Sequence, residues 1–229
     1  RLSLVLDADC GLFADAAQAR KWLAACADEV PPADTAARVE LARAWSRAWQ
    51  RFRTPDLLAD ARAVVAPLTS SPDAPAAAHL IGATLAQQDG DLAAARSGYV
   101  AALARDPRLL DARNNLAVVL ADLGLANEAV AEATTATRAA PDVPEYLDTL
   151  AYALRKAHET QRARESLDQA IRLDPANPKW MASLAETLAE SGDPGAAAKV
   201  AAKAQAIAAG GGELDPELRD RLARLARPR

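Results

Sequence analysis

Aromatic residues supply only 4% of this 229-residue chain, although 51% of it is hydrophobic. Much of that hydrophobic share is alanine, a strong helix former, so the composition favours helices packed on helices over a sheet protein. Cysteine is scarce: Cys10 and Cys26 are too few for a disulfide scaffold. They read as two buried thiols, with a bridge across a helix pair as the alternative. The two histidines, His79 and His158, stand alone, with no Cys/His cluster of metal-ligand spacing beside them. Gly210–Gly212 lacks the following Lys-Ser/Thr of a phosphate loop. The Asp-Pro pairs at 106–107 and 174–175 read as helix ends rather than acid–base pairs. No catalytic residue, metal ligand or cofactor is therefore expected. No apolar run approaches the length of a bilayer span, so this chain is not expected to insert into a membrane. The net charge of −4 carries no basic excess, which argues against nucleic acid as a partner. The chain starts at Arg1 without methionine. It reads as a processed protein or a piece of a longer one, and its compartment, cytoplasmic or periplasmic, is left open.

What the chain has instead is a period. Ala83, Ala117, Ala151 and Ala185 are spaced 34 residues apart, and so are Ala95, Ala129, Ala163 and Ala197. Ala102, Ala136, Ala170 and Ala204 keep the same step of 34, as do Pro107, Pro141 and Pro175. Gly90, Gly124 and Gly192 share one phase, with His158 in the missing place. Small residues at fixed phases of such a period mark a helix-turn-helix solenoid, an architecture that offers a surface to other proteins.

Each unit reads as two amphipathic helices. Between Leu110 and Pro141, the spacing predicts a first helix over Asp111–Leu123, with Leu116, Ala117 and Leu120 on one face. Gly124 ends it, because glycine tolerates the left-handed conformation just past a helix end. A second helix is predicted over Ala126–Ala139, and Pro141 stops it for want of an N–H. Alanine at Ala129, Ala133 and Ala136 lets the two backbones approach. Ala129→Leu is expected to overpack and cost roughly 1–3 kcal/mol.

These residues resemble the tetratricopeptide repeat family. One unit supplies Ala83, Gly90, Ala95, Tyr99, Ala102 and Pro107; the next, Leu116, Ala117, Gly124, Ala129, Ala136 and Pro141. The third supplies Leu150, Ala151, Ala163, Leu167, Ala170 and Pro175, and the fourth Leu184, Ala185, Gly192, Ala197 and Ala204. The resemblance implies an all-α fold: a right-handed superhelical solenoid of antiparallel helix pairs, here closed by a C-terminal capping helix. It implies a bacterial adaptor or scaffold that binds a protein or peptide. A weaker resemblance to bacterial multi-repeat proteins of envelope or exopolysaccharide assembly rests on wording such as Leu147-Asp148-Thr149-Leu150-Ala151. It suggests the alternative of a scaffold or homo-oligomerisation arm in a larger protein.

Taken in order, residues 1–75 read as two degenerate pairs. Leu4-Val5-Leu6-Asp7-Ala8-Asp9 resembles the metal-binding start of haloacid dehalogenase-like phosphatases, or the Asp-x-Asp of sugar-nucleotide transferases. Both need a whole α/β domain, and everything downstream reads as helix, so a degenerate first repeat is the better reading. Asp34 or Thr35 can cap a long helix reaching Phe52, and Thr54-Pro55-Asp56 starts its partner. Arg43, Arg47, Arg51 and Arg53 make the long helix basic, as a solvated face or a binding surface. Four repeats follow, over 76–109, 110–143, 144–177 and 178–209. Residues 210–229 read as a glycine linker and a cap, with Leu218, Leu222 and Leu225 on one face of a helix over 216–226.

By the resemblance, the first helix of each pair lines a concave peptide-binding groove. The positions that fall there are Arg47 and Gln50, then Thr84 and Gln87, then Asp111, Asn114, Asn115 and Val118, and lastly Asp148, Tyr152 and Arg155. Further groove positions are Arg43 and Ser46, Leu80 and Gln88, Asp122, Thr149 and Lys156, and Lys179, Ser183 and Glu186. Asparagine amides can both donate to and accept from a peptide backbone; by the resemblance the place of Asn115 is commonly a structural Asn, so Asn114 is the favoured contact. Tyr152 offers an amphipathic contact, and Arg155 and Lys156 would meet an acidic side chain. The family's clamp for chaperone C-terminal carboxylates is not reproduced. Leu80 and Asn114 stand where its basic residues would be, and Asp111 and Asp148 add negative charge.

Overall fold

The computed structural model describes residues 13–211 and 216–226. The aspartates Asp7 and Asp9, and any Cys10–Cys26 bridge, lie outside the described residues. Among those described there are twelve α-helices and no strand. They are α1 (Ala16–Glu29), α2 (Thr35–Phe52), α3 (Pro55–Thr69), α4 (Ala76–Gln88), α5 (Leu92–Arg105) and α6 (Leu110–Asp122). Then come α7 (Ala126–Ala139), α8 (Pro144–Lys156), α9 (Thr160–Leu173), α10 (Pro178–Glu190), α11 (Pro194–Gly211) and α12 (Pro216–Leu225). The chain divides into two compact units, Arg1–Ala112 and Arg113–Arg229.

In the first unit α1 packs on α2, α2 on α3, α3 on α4 and α4 on α5. Leu23, Trp45, Trp49, Leu57 and Leu85 are buried in its core. The long helix α2 starts at the expected cap: the Asp34 carboxylate accepts from the Ala37 N–H at 3.0 Å. It ends on Arg53, which takes φ 54° at the turn. The basic side chains there are locally engaged. Arg43 pairs with Glu40 at 3.3 Å, while Arg51 and Arg53 lie over Phe52 and Trp49.

In the second unit α8 packs on α7 and α9, α10 on α9 and α11, and α8 also touches α10. First helices of successive pairs thus stack on each other, which is solenoid packing within the unit. Alanine makes this possible: Ala129, Ala133, Ala136, Ala163 and Ala170 are all 0% exposed, at positions where a larger side chain would hold the helices apart.

The turns repeat in detail. Gly90, Gly124 and Gly192 have φ of 83°, 78° and 85°, and His158 adopts φ 61° in the fourth such turn. In each, the next residue's N–H bonds back to a carbonyl in the last turn of the preceding helix. The bonds are Asp91 to Ala86, Leu125 to Leu120, Glu159 to Leu154 and Asp193 to Leu188, at 2.8–3.0 Å. The backbone geometry is therefore kept where the glycine is not.

Helix α7 has the expected bounds, and α6 is shifted by one residue. The C-terminal end differs: α11 runs through Gly210 and Gly211, two residues into the expected linker. The alanine-rich helix carries on because no proline stops it before Pro216, and two glycines cost only about 1 kcal/mol each. Helix α12 then folds back on α10 and α11. Leu222 is fully buried among Met181, Ala182, Ala185, Ala201 and Ala204, with Leu218 and Leu225 beside it.

Candidate functional site: a helix-lined cavity

The second unit contains a cavity of about 540 Å³. Its walls come from α6 (Asn114, Val118), α8 (Glu145, Asp148, Thr149, Tyr152, Arg155) and α10 (Lys179, Ser183, Glu186), joined by Arg221 of α12. A helix presents residues three and four apart on one face, and Asn114/Val118, Asp148/Tyr152/Arg155 and Lys179/Ser183/Glu186 all keep that spacing.

Arg155 is the most constrained charge in the cavity, its side chain only 12% exposed. Its Nε and Nη2 donate to Glu190 at 2.9 and 2.7 Å, and its Nη1 donates to Glu186 at 3.0 Å. Burial works against this charge, but hydrogen bonds and attraction from Glu190 and Glu186 outweigh it and raise the pKa. The other oxygen of Glu186 accepts from Arg221 Nε at 2.7 Å. Tyr152 donates its hydroxyl to Asp122. Burial, then that hydrogen bond and the carboxylate's charge, push the phenol well above its ordinary pKa, so it stays a donor. Lys179 reaches Asp148 at 3.6 Å and lies 4.8 Å over the Trp180 ring.

Asn114 differs from all of these. Its Oδ1 is buried and has no hydrogen-bond partner among the described residues. Buried acceptors are nearly always paired, so an orphaned one on a cavity wall demands a donor.

Of the sequence-predicted positions, this cavity brings together Asn114, Val118, Asp148, Tyr152 and Arg155, and of the further groove positions Thr149, Lys179, Ser183 and Glu186. Asn115 is partly buried on α6 and does not line it. Asp111 is exposed on the first turn of α6, in the other unit. Thr84 and Gln87 also belong to that unit and engage the buried Tyr99. Its hydroxyl donates to Gln87 Oε1 at 2.6 Å and lies 3.3 Å from Thr84 Oγ1. Arg47 and Gln50 are exposed on α2, while Ser46, also placed on the groove face, is buried. A second cavity, of about 620 Å³, lies between α1 and α3 over Trp45, whose buried Nε1 has no partner; no predicted site residue lines it.

Two charged contributors escaped sequence reasoning. Glu145 stands on the first turn of α8, one turn before Asp148. Arg221 belongs to a helix outside the repeat frame, so no phase of the period points to it.

A tetratricopeptide repeat family model matches residues 82–144 and 149–212, more than half of the chain. The chain belongs to the tetratricopeptide repeat family. Its fold is similar to that of several solved tetratricopeptide repeat and related structures. Residues 41-end of MamA from Desulfovibrio magneticus align at 18% identity and TM-score 0.64, over 77% of this chain and 98% of that one. A thermophilic tetratricopeptide repeat protein of Thermus thermophilus, TTC0263, aligns at 22% identity and TM-score 0.65, over 80% and 98%. Pseudomonas aeruginosa pilF aligns at 19% identity and TM-score 0.60, over 82% and 90%. No curated protein sequence matches the chain. Tetratricopeptide repeats are protein–protein interaction modules, and that is the class of this chain. No helix among the described residues is long and apolar enough to cross a membrane.

Proposed function

We propose that this tetratricopeptide repeat protein captures an extended peptide segment of a partner protein in the cavity between α6, α8, α10 and α12. We take its repeats as 76–109, 110–143, 144–177 and 178–209. The observation that carries the reading is the unpartnered Oδ1 of Asn114, buried on a cavity of about 540 Å³. A peptide backbone N–H supplies the missing donor, and the aliphatic Val118 and the Tyr152 ring supply apolar contact beside it. Arg155 holds two glutamates and has little charge left to offer an acidic side chain, so its role is to shape the wall.

The test is a display selection of random hexapeptides on the immobilised chain, followed by affinity measurement. Asn114→Ala is expected to weaken a selected peptide about tenfold, the value of one buried hydrogen bond. Its melting temperature should not fall, because the substitution removes an acceptor that has no partner among the described residues. Selected peptides that bind Asn114→Ala as tightly as the wild type would place recognition elsewhere.

A further inference from the structure

The C-terminal helix does more than cover the end of the second unit. Arg221 leaves α12 to line the same cavity as Asn114, and its Nε donates to Glu186 Oε1 at 2.7 Å. The second oxygen of that carboxylate, Oε2, accepts from Arg155 Nη1 at 3.0 Å. Glu186 is therefore shared by two arginines, one oxygen each, on α12 and α8. Its side chain is 23% exposed and that of Arg155 12%, so water is a poor substitute for either partner. Arg155 in turn lies 5.9 Å from the ring of Tyr152, whose hydroxyl holds Asp122 at the end of α6. One chain of polar contacts thus runs from α12 through α10 and α8 to α6.

We propose that α12 is a movable wall of the binding site. Arg221 is the positioning residue that fixes Arg155 through Glu186, so that α12 docking and the shape of the cavity are one linked equilibrium. The seat of α12 is apolar: Leu218, Leu222 and Leu225 on Met181, Ala182 and Ala185. When α12 leaves that seat, Glu186 loses one of its two cations and turns wholly to Arg155. The guanidinium then shifts from its present position between Glu186 and Glu190. By reciprocity, an occupant that needs the present wall holds α12 down. This consequence for capture rests on the reading of the cavity as the peptide site; the link between α12 and Arg155 does not.

The link is tested in the full chain without ligand, by the ¹⁵N NMR signal of the Arg155 Nε–H. Arg221→Met, which removes the cation on the other oxygen of Glu186, is expected to shift or broaden that signal, and Arg221→Lys to restore it in part. Leu222→Ala, which loosens α12 by removing apolar contact, should move it in the same direction. Asp220→Asn, exposed on the same helix and outside the cavity, should leave it in place. An Arg155 signal unchanged in both Arg221→Met and Leu222→Ala overturns the proposal. The second arm measures affinity for a hexapeptide selected as above. Leu222→Ala is expected to weaken it about tenfold, and equal affinity overturns the linkage to capture. If no hexapeptide is selected, the reading of the site fails, and the NMR arm alone decides the link between α12 and Arg155.

Discussion

At the scale of single residues, the turn positions show how far a backbone demand outlasts the residue suited to it. His158 stands in the phase of Gly90, Gly124 and Gly192 and takes φ 61°, with the same back-bonded turn around it. A side chain in that conformation costs about 1–2 kcal/mol, since its Cβ crowds the adjacent carbonyl. Glycine removes the crowding but brings more entropy to the unfolded chain. His158→Gly is therefore expected to gain about 1 kcal/mol, read as a higher urea midpoint with an unchanged slope. His79 contributes through charge. Burial, then the nearby Arg105, lowers its pKa from 6.5, so the folded state favours neutral imidazole. A group depressed on folding stabilises above its unfolded pKa, and that stability is lost as pH falls through the folded value. Unfolding free energy should therefore decline as pH falls below the ordinary histidine range, and His79→Gln should flatten that slope.

At the scale of elements, the alanine stripes and the cap do different work. Ala95, Ala129 and Ala163 are 0% exposed, and Ala197 1%, because the helix pair closes on them. Gly98 marks an even closer approach: a Cβ there would meet the Ala83 Cβ at 2.8 Å. Gly98→Ala is expected to overpack α4 against α5 and cost about 1–3 kcal/mol, measured by chemical denaturation. The cap depends on Leu222, which is 0% exposed. Leu222→Ala should cost the second unit roughly 2–5 kcal/mol, through lost burial and the cavity left behind. A loss below about 0.5 kcal/mol, the scale of a surface change, would mean that α12 is not seated as described.

At the scale of the whole molecule, the fold was legible because a repeat states its packing several times over. The alanine, glycine and proline phases pointed to helix pairs from α4 to α11, and where helix bounds were read, at α6 and α7, they agree to within one residue. The first helices were read less fully because degenerate pairs keep the apolar faces and lose the turn residues; Arg53 takes the left-handed conformation that Gly90, Gly124 and Gly192 take in the later turns. The glycines at 210 and 211 stay helical, since glycine weakens a helix without stopping it.

The candidate site divides along another line. The family resemblance placed Asn114, Val118, Asp148, Tyr152 and Arg155 on the groove side, and helical spacing explains only why those of one helix share a face. Three facts could not be read that way: that Arg155 is spent on Glu186 and Glu190, that Tyr152 is tied to Asp122, and that Asn114 keeps an unpaired acceptor. Each depends on which side chains meet across neighbouring helices. Arg221 is the extreme case. Its distance from Glu186 is set by how α12 folds back on α10, a long-range contact that no local period encodes. Periodicity is a property of the chain and specifies which residues share a face; pairing is a property of packed elements and specifies which of those residues remain available to a partner.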